Sequence, residues 1–243
     1  MFIVVLIISM VSISIGSITF AILNKKSSLE ISQERNKKLI TYVIIVFGLY
    51  TSIAFIPIAL YVITSAIIII ALREILSASA KTKNNYFKVI TFTISIPIFY
   101  FFAQFIKTIA MPIQLFTYFI VVHFDGFSQV FGESFGKHRL LPKVSPQKTW
   151  EGFLGGLSIS LFLGIIVYWR TALFRDQGEA ILFTGLIVLA AFIGDVLGSW
   201  FKRVCGIKNY SNLLPGHGGI LDRFDSFFMA GAIIQVVQNI YTP

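Results

Sequence analysis

Long apolar segments alternate with short polar ones along almost the whole chain. About 20 apolar residues are needed for a helix to cross a bilayer. The longest run, 39–72, is too long for one crossing and accommodates two short ones, with Pro57 as the break between them. The pattern therefore predicts eight transmembrane helices, which come from the runs at 2–23, 39–72, 89–106, 108–124, 153–169, 180–201 and 227–241.

The composition supports this architecture. Of the 243 residues, 56% are hydrophobic and 13% are charged, whereas soluble domains have about 45–50% apolar and about 25% charged residues. The numbers exclude an ordinary soluble domain and a disordered chain. The single cysteine, Cys205, excludes a disulfide framework and a cysteine-rich metal site. We therefore predict an all-α, polytopic integral membrane protein.

The distribution of basic residues predicts the orientation. The formal net charge is +9, which in a soluble protein would favour a nucleic-acid partner. All Lys and Arg residues except Lys107, Arg170 and Arg175 fall, however, in the four predicted loops on one side, at 24–38, 73–88, 125–152 and 202–225. Because cytoplasmic loops collect Lys and Arg, this side is predicted to be cytoplasmic and both termini to lie outside. In a bacterium the membrane would be the plasma (inner) membrane, and no nucleic-acid partner is expected.

Asp195 is the only acidic residue inside a predicted span. A carboxylate there costs about 2.5–3.5 kcal/mol by insertion scales and usually marks a functional site. Ser199 and Lys202 follow at positions that share its helical face, and Gly194 and Gly198 would let another backbone or a ligand approach. The alternative is a structural carboxylate paired with a neighbouring helix.

The loop 202–225 ends in a glycine-rich turn that contains His217, Gly218 and Gly219. Such backbone can present N–H groups to phosphate. Asp222 and Asp225 follow on one face at the start of the last span, where carboxylates suit Mg²⁺ bridging to a polyphosphate. They could instead be acids that favour a helix N-terminus, but together with Asp195 they favour a functional site.

The loop 125–152 contains Ser145 followed by Pro146, a pair typical of a helix start. We therefore expect the sixth helix to begin there. This start would place Lys148, Thr149 and Glu151 in its first turns.

Several of these segments resemble the phosphatidate cytidylyltransferases (CDP-diacylglycerol synthases), over about residues 120–230. The matching segments are FGESFGKH at 131–138, SPQKTWEG at 145–152, Gly194 with Asp195, SWFKR at 199–203, KNYS at 208–211 and HGGILDRFD at 217–225. Two positions depart from the family pattern. Asn209 stands where the family has Asp, and Phe127 and Ser128 stand where it commonly has a small residue and Tyr.

The resemblance implies transfer of CMP from CTP to phosphatidate, with Mg²⁺ as cofactor and a monovalent cation as a further candidate. We expect Asp195, Asp222, Lys202 and Arg203 to be catalytic and Asp195, Asp222 and Asp225 to bind the metal. Contacts to nucleotide or lipid phosphate are expected from Ser145, Lys148, Thr149, Ser199, Lys208, His217, Gly218, Gly219 and Arg223. Residues 1–106 would form supporting helices, and residues 107–243 would form the catalytic region.

The expected partners are CTP, phosphatidate in the bilayer and, from the family, a second copy of the chain. One alternative is a related CTP-dependent reaction on an isoprenoid ether lipid or a polyprenol, which gains weight from Asn209. Another is a carrier or scaffold without activity. A carrier would place ionisable residues at mid-bilayer on several helices, whereas only Asp195 is expected there.

Overall fold

The computed structural model describes residues 1–24, 29–214 and 218–241. Within them the chain forms eight helices and one short hairpin. The helices are α1 (Phe2–Asn24), α2 (Leu29–Phe55), α3 (Pro57–Ser79), α4 (Asn85–Thr108), α5 (Met111–Phe135), α6 (Trp150–Arg170), α7 (Gln177–Val204) and α8 (Leu221–Tyr241), and the strands are β1 (Arg139–Leu141) and β2 (Ser145–Thr149).

The helical architecture agrees with an all-α membrane protein. Among the described residues, α1, α3, α4, α6 and α7 each contain a segment long and apolar enough to cross a membrane, and α2 contains a shorter apolar segment, Leu39–Phe55. Large side chains such as Ile58, Val62 and Ile69 on α3 are exposed. An apolar outer surface of this kind fits contact with lipid. The break at Pro57 is confirmed, because α2 ends at Phe55 and Pro57 lies at the start of α3.

Most predicted loops were too long. α2 begins at Leu29, α3 continues to Ser79, α5 continues to Phe135, and only residues 205–220 separate α7 from α8. The physical reason is that hydropathy marks where the apolar surface ends, whereas a helix continues through polar residues as long as its backbone hydrogen bonds are made.

Two helices, α5 and α8, lie at the centre of the bundle. In the described part of the chain, neither is among the helices that are long and apolar enough to cross a membrane. Every residue of α5 from Gln114 to Phe124 is buried, and α5 packs against α1, α2, α6, α7 and α8. α8 packs against α3, α4, α5 and α7. On the α4–α8 contact, Phe102 makes edge-to-face ring contacts with Phe227 at 5.1 Å and Phe228 at 4.9 Å, a favoured aromatic geometry.

The predicted helix start at Ser145 was wrong. Ser145 to Thr149 form β2, which pairs with β1 in an antiparallel hairpin through Arg139 opposite Thr149 and Leu141 opposite Ser145. Thr149 is the true N-cap of α6, and its hydroxyl accepts a hydrogen bond from the Gly152 amide at 3.1 Å. Thr is itself a favoured N-cap residue, and pairing of Ser145 in the hairpin moves the start of the helix to Thr149. The small sheet also qualifies the all-α prediction.

Candidate active site

The site is built where the C-terminal part of α7 meets the start of α8, because two glycines let these helices approach closely. A methyl group added at Gly194 would lie 2.5 Å from the Asp225 carbonyl oxygen, and one at Gly198 would lie 2.7 Å from Asp225 Oδ2. Neither distance is tolerable for a side chain. The close approach predicted for these glycines is thus confirmed, and it places the Asp225 carboxylate directly on α7.

Asp195 lies one turn away on the same face of α7. Its Oδ2 accepts a hydrogen bond from the Lys148 ammonium of β2, and its Oδ1 accepts one from the Ser199 hydroxyl at 3.3 Å. The side chains of Lys148 and Asp195 are 22% and 31% exposed, so this pair is open to solvent on one side. The predicted stripe of Asp195 and Ser199 is confirmed, and the hairpin adds Lys148 to it.

Lys148 faces more than one carboxylate. Burial alone would lower the pKa of its ammonium group, but Asp195 and then Asp125 and Asp225 oppose this effect, and the pKa is raised above its ordinary value of 10.5. Lys148 therefore carries its charge throughout the physiological range. Electrostatic interactions with these three carboxylates thus favour the charged form of Lys148.

A second pair, Lys202 with Asp222, is more deeply buried. Lys202 Nζ lies 2.6 Å from Asp222 Oδ1, with 12% and 5% of the two side chains exposed. The other oxygen, Oδ2, accepts hydrogen bonds from the backbone amides of Tyr210 and Gly219, both at 2.9 Å. Asp222 thus connects the end of α7 to both described ends of the segment between α7 and α8.

Gly218 is required beside this carboxylate. It has a positive φ of 83°, which disfavours other residues, and a methyl group there would lie 2.7 Å from Asp222 Oδ2 and 3.2 Å from Asn209 Cβ. His217 lies outside the described residues. The predicted nucleotide-binding role of this turn stays a prediction.

The remaining predicted contacts are spread around the site. Lys208 and Arg223 are exposed, and Arg203 is exposed with its Nε donating to the Val144 carbonyl at 3.1 Å. Arg203 therefore connects α7 to the turn of the hairpin. Ser145 lies on β2, and Thr149 is buried as the cap of α6.

Two further acidic residues, which were not predicted from the sequence, contact the site or its surroundings. Asp125 lies within α5, where Ser226 Oγ donates to its Oδ1 at 3.5 Å, and it interacts electrostatically with Asp195 and Asp225. Glu74 lies within α3 and is buried. The expectation that Asp195 is the only acid inside a membrane span was wrong, because Glu74 lies within α3, which is also a candidate span. Both residues had been assigned to loops, because each stands at the polar edge of an apolar run.

A groove reaches this cluster from the side of the bundle. It has a volume of about 90 Å³ and is bounded by α3, α4, α7 and α8. Asp225 and Tyr210 form part of its wall, together with apolar residues such as Ile94, Phe99 and Leu197. The groove thus joins an apolar surface to Asp225 of the site.

The chain was compared with known proteins. The model of the cytidylyltransferase family matches residues 1–241. The chain belongs to the cytidylyltransferase family. It is 35% identical over 144 residues to a phosphatidate cytidylyltransferase of Staphylococcus haemolyticus, covering 59% of this chain and 55% of the relative. It is also 41% identical over 127 residues to one of Staphylococcus saprophyticus, covering 51% and 47%.

These alignments cover only part of the relatives. The chain spans about half the length of the curated relatives it matches. Membership of the cytidylyltransferase family agrees with the resemblance found in the sequence. The two lysine–carboxylate pairs are therefore the candidate site for a cytidylyltransferase reaction.

Proposed function

We propose that this protein transfers CMP from CTP to phosphatidate and releases pyrophosphate. The proposal rests on one observation above all: Lys148 pairs with Asp195 and Lys202 pairs with Asp222 close to Asp225, which forms part of the wall of an apolar groove, in a chain of the cytidylyltransferase family. The names of the relatives favour phosphatidate as the acceptor. A soluble nucleotide and a membrane lipid can meet only where a polar site adjoins the bilayer.

The reaction sets a clear electrostatic problem. A phosphate oxygen of phosphatidate attacks the α-phosphorus of CTP, the bond to the β-phosphate oxygen breaks, and pyrophosphate leaves. Both reactants are anions, so cationic groups must hold them together and in line. Lys148 and Lys202 are the best placed of the predicted cations, and Arg203, Lys208 and Arg223 would bind phosphate at the exposed rim.

The site fits Mg²⁺ in its donor chemistry. Asp195, Asp222 and Asp225 offer carboxylate oxygens, the ligands that Mg²⁺ prefers, and we keep them as the proposed ligands, with Asp125 as a further candidate. Among the described residues, no group of three such side chains is arranged as a ready metal site. When bound, Mg²⁺ would neutralise the phosphates and stabilise the leaving pyrophosphate.

Other groups of the protein orient the two carboxylates and provide a route for the lipid. Ser199 and Lys148 orient Asp195, and the amides of Tyr210 and Gly219 orient Asp222. The lipid would approach through the groove, keeping its tails in the bilayer. The Thr91 hydroxyl in that wall is buried without a partner among the described residues and would be available to a polar lipid group.

The proposal also includes the membrane orientation, the oligomeric state and the catalytic region. The site would face the cytoplasm of a bacterial plasma membrane, both termini would lie outside after eight crossings, and the protein would act as a homodimer. Residues 107–243 would carry the reacting groups. Labelling of single cysteines introduced at exposed positions such as Lys107 or Lys208 in a Cys205→Ala background, from either side of sealed vesicles, tests the orientation.

The decisive experiment incubates the purified protein with α-³²P-labelled CTP and a defined lipid, with and without Mg²⁺. Label in CDP-diacylglycerol with phosphatidate supports the proposal. Label transferred only to an ether-linked lipid, or transferred to a polyprenol from γ-³²P-labelled CTP in a parallel reaction, supports the alternative that Asn209 favours. Absence of any Mg²⁺- and CTP-dependent product with every lipid would refute the enzymatic assignment.

A further inference from the structure

Glu74 is a buried carboxylate that belongs to none of the motifs described above. It lies near the C-terminal end of α3 with 6% of the residue exposed. Its Oε1 accepts hydrogen bonds from the Ser211 hydroxyl at 2.6 Å and the Ile220 amide at 3.0 Å, and its Oε2 accepts one from the Leu221 amide at 2.8 Å. A side chain from the N-terminal half of the chain thus holds the start of α8.

Through these contacts, Glu74 of α3 caps the N-terminal end of α8. The first amides of a helix have no partner within it, and a carboxylate is favourable beside them because of the helix dipole. Glu74 takes the amides of Ile220 and Leu221, while Asp222 takes those of Gly219 and Tyr210. The two carboxylates therefore accept hydrogen bonds from different amides. Three of these amides lie at the start of α8, and the fourth belongs to Tyr210.

The Glu74 carboxyl group packs closely against the backbone of Gly219. A methyl group added at Gly219 would lie 2.4 Å from Glu74 Oε1, 2.7 Å from its Cδ and 2.8 Å from Oε2. A larger residue at 219 would therefore displace the Glu74 carboxylate from its present contacts. The requirement for glycine at 219 arises from packing against α3, since Gly219 has no positive φ.

We propose that Glu74 is a positioning residue for Asp222. The inference rests on the proposed function, since it assigns a role in that reaction. Asp222 follows Leu221 directly, so the position of its carboxylate against Lys202 depends on where α8 begins. Glu74 fixes that beginning through two backbone amides, and the Ser211 contact holds the preceding segment to the same carboxylate.

The test compares Glu74→Gln with Gln114→Leu, a matched control. Gln114 is also buried, at 5% exposure, and its amide donates to the carbonyls of Phe105, Ile106 and Ile109 at the end of α4. Each substitution weakens the hydrogen bonds between a buried side chain and the end of a neighbouring helix. Only the helix end held by Glu74 adjoins the site. For each we would measure the melting temperature, kcat and KM for CTP per folded molecule, and hydrogen exchange of a peptide covering 218–224.

We expect both variants to melt earlier and only Glu74→Gln to lose kcat. The loss should be about 10–100-fold, the range typical of residues that orient a reacting group, with faster exchange in the 218–224 peptide. Gly219→Ala, which pushes against the same carboxylate, should lower kcat in the same way. Ser211→Ala, which leaves both amide contacts, should retain kcat within about threefold.

Two results would overturn the proposal. One is a Glu74→Gln protein that melts earlier but keeps the wild-type kcat, because the role would then be stability alone. The other is unchanged exchange in the 218–224 peptide, because Glu74 would then not hold the start of α8. The exchange measurement needs no turnover, so an inactive wild-type protein would refute the proposed function and still leave Glu74 tested.

Discussion

Replacing Asp222 by Asn should destabilise the protein as well as inactivate it. Every group around this carboxylate is a donor: the Lys202 ammonium lies 2.6 Å from Oδ1, and the amides of Tyr210 and Gly219 lie 2.9 Å from Oδ2. An asparagine must point its NH₂ group at one side or the other. In either orientation, at least one buried donor loses its acceptor and meets another donor.

The size of the effect follows from the burial. With 12% of Lys202 and 5% of Asp222 exposed, removing one partner of the pair should cost about 3–5 kcal/mol. For a chain of this size, this corresponds to a fall of roughly 6–20 °C in Tm. Lys202→Met should cost less than Asp222→Asn, because the carboxylate would keep its two amide donors. The double variant should cost less than the sum of the two single changes.

Cys205 provides the assay. It is the single cysteine of the chain, is free and buried, and caps the C-terminus of α7 within one turn of Lys202. A thiol-reactive fluorophore in detergent therefore reports unfolding at the relevant place. The matched control is Asp176→Asn: Asp176 caps the other end of α7 by accepting from the Glu179 amide at 2.8 Å, and asparagine caps as well as aspartate.

The outcome is clear in either direction. We expect Tm to be nearly unchanged in Asp176→Asn and strongly lowered in Asp222→Asn. A wild-type Tm for Asp222→Asn, or energies that simply add in the double variant, would contradict the buried pair. Activity of Asp222→Asn should fall at least about 100-fold, and wild-type turnover would remove Asp222 from the mechanism.

Four further outcomes are expected. Lys148→Met should lower Tm less than Lys202→Met because its pair with Asp195 is more exposed, yet it should abolish CMP transfer in the labelled-CTP assay. Gly198→Ala should cost about 1–3 kcal/mol by thermal unfolding because the added methyl meets Asp225. Arg203→Ala should change stability by less than about 0.5 kcal/mol and raise KM for CTP. Chelation with EDTA should stop turnover, and added Mg²⁺ but not Ca²⁺ should restore it.

The local chemistry of the site could be predicted from the sequence. Asp195, Ser199 and Lys202 were placed on one helical face by spacing alone, and the glycines at 194 and 198 correctly indicated a close approach. These features depend on the fixed geometry of one helix. The partners of the carboxylates were not assigned, because Lys148 reaches Asp195 only through a hairpin whose pairing spans different parts of the chain.

The limits of hydropathy explain the two missed acids. Asp125 and Glu74 stand beside apolar runs, and a window that measures apolarity ends the span there. The structure instead continues both helices, buries Glu74 and leaves Asp125 partly buried. Glu74 accepts hydrogen bonds from Ser211 and from the amides at the start of α8, and Asp125 Oδ1 accepts one from Ser226. A buried charge needs such partners, and they were not evident from local spacing.

The same contacts bear on the proposed division at residue 106. The proposed reacting groups lie after it, but α8 is held by Glu74 from α3 and by Phe99 and Phe102 from α4, which pack on Phe228 at 4.9 Å each. Without the first four helices, two amides at the start of α8 would lose their acceptor and an aromatic face would lose its cover. We therefore expect residues 107–243 alone not to form the site, because its geometry depends on contacts from both parts of the chain.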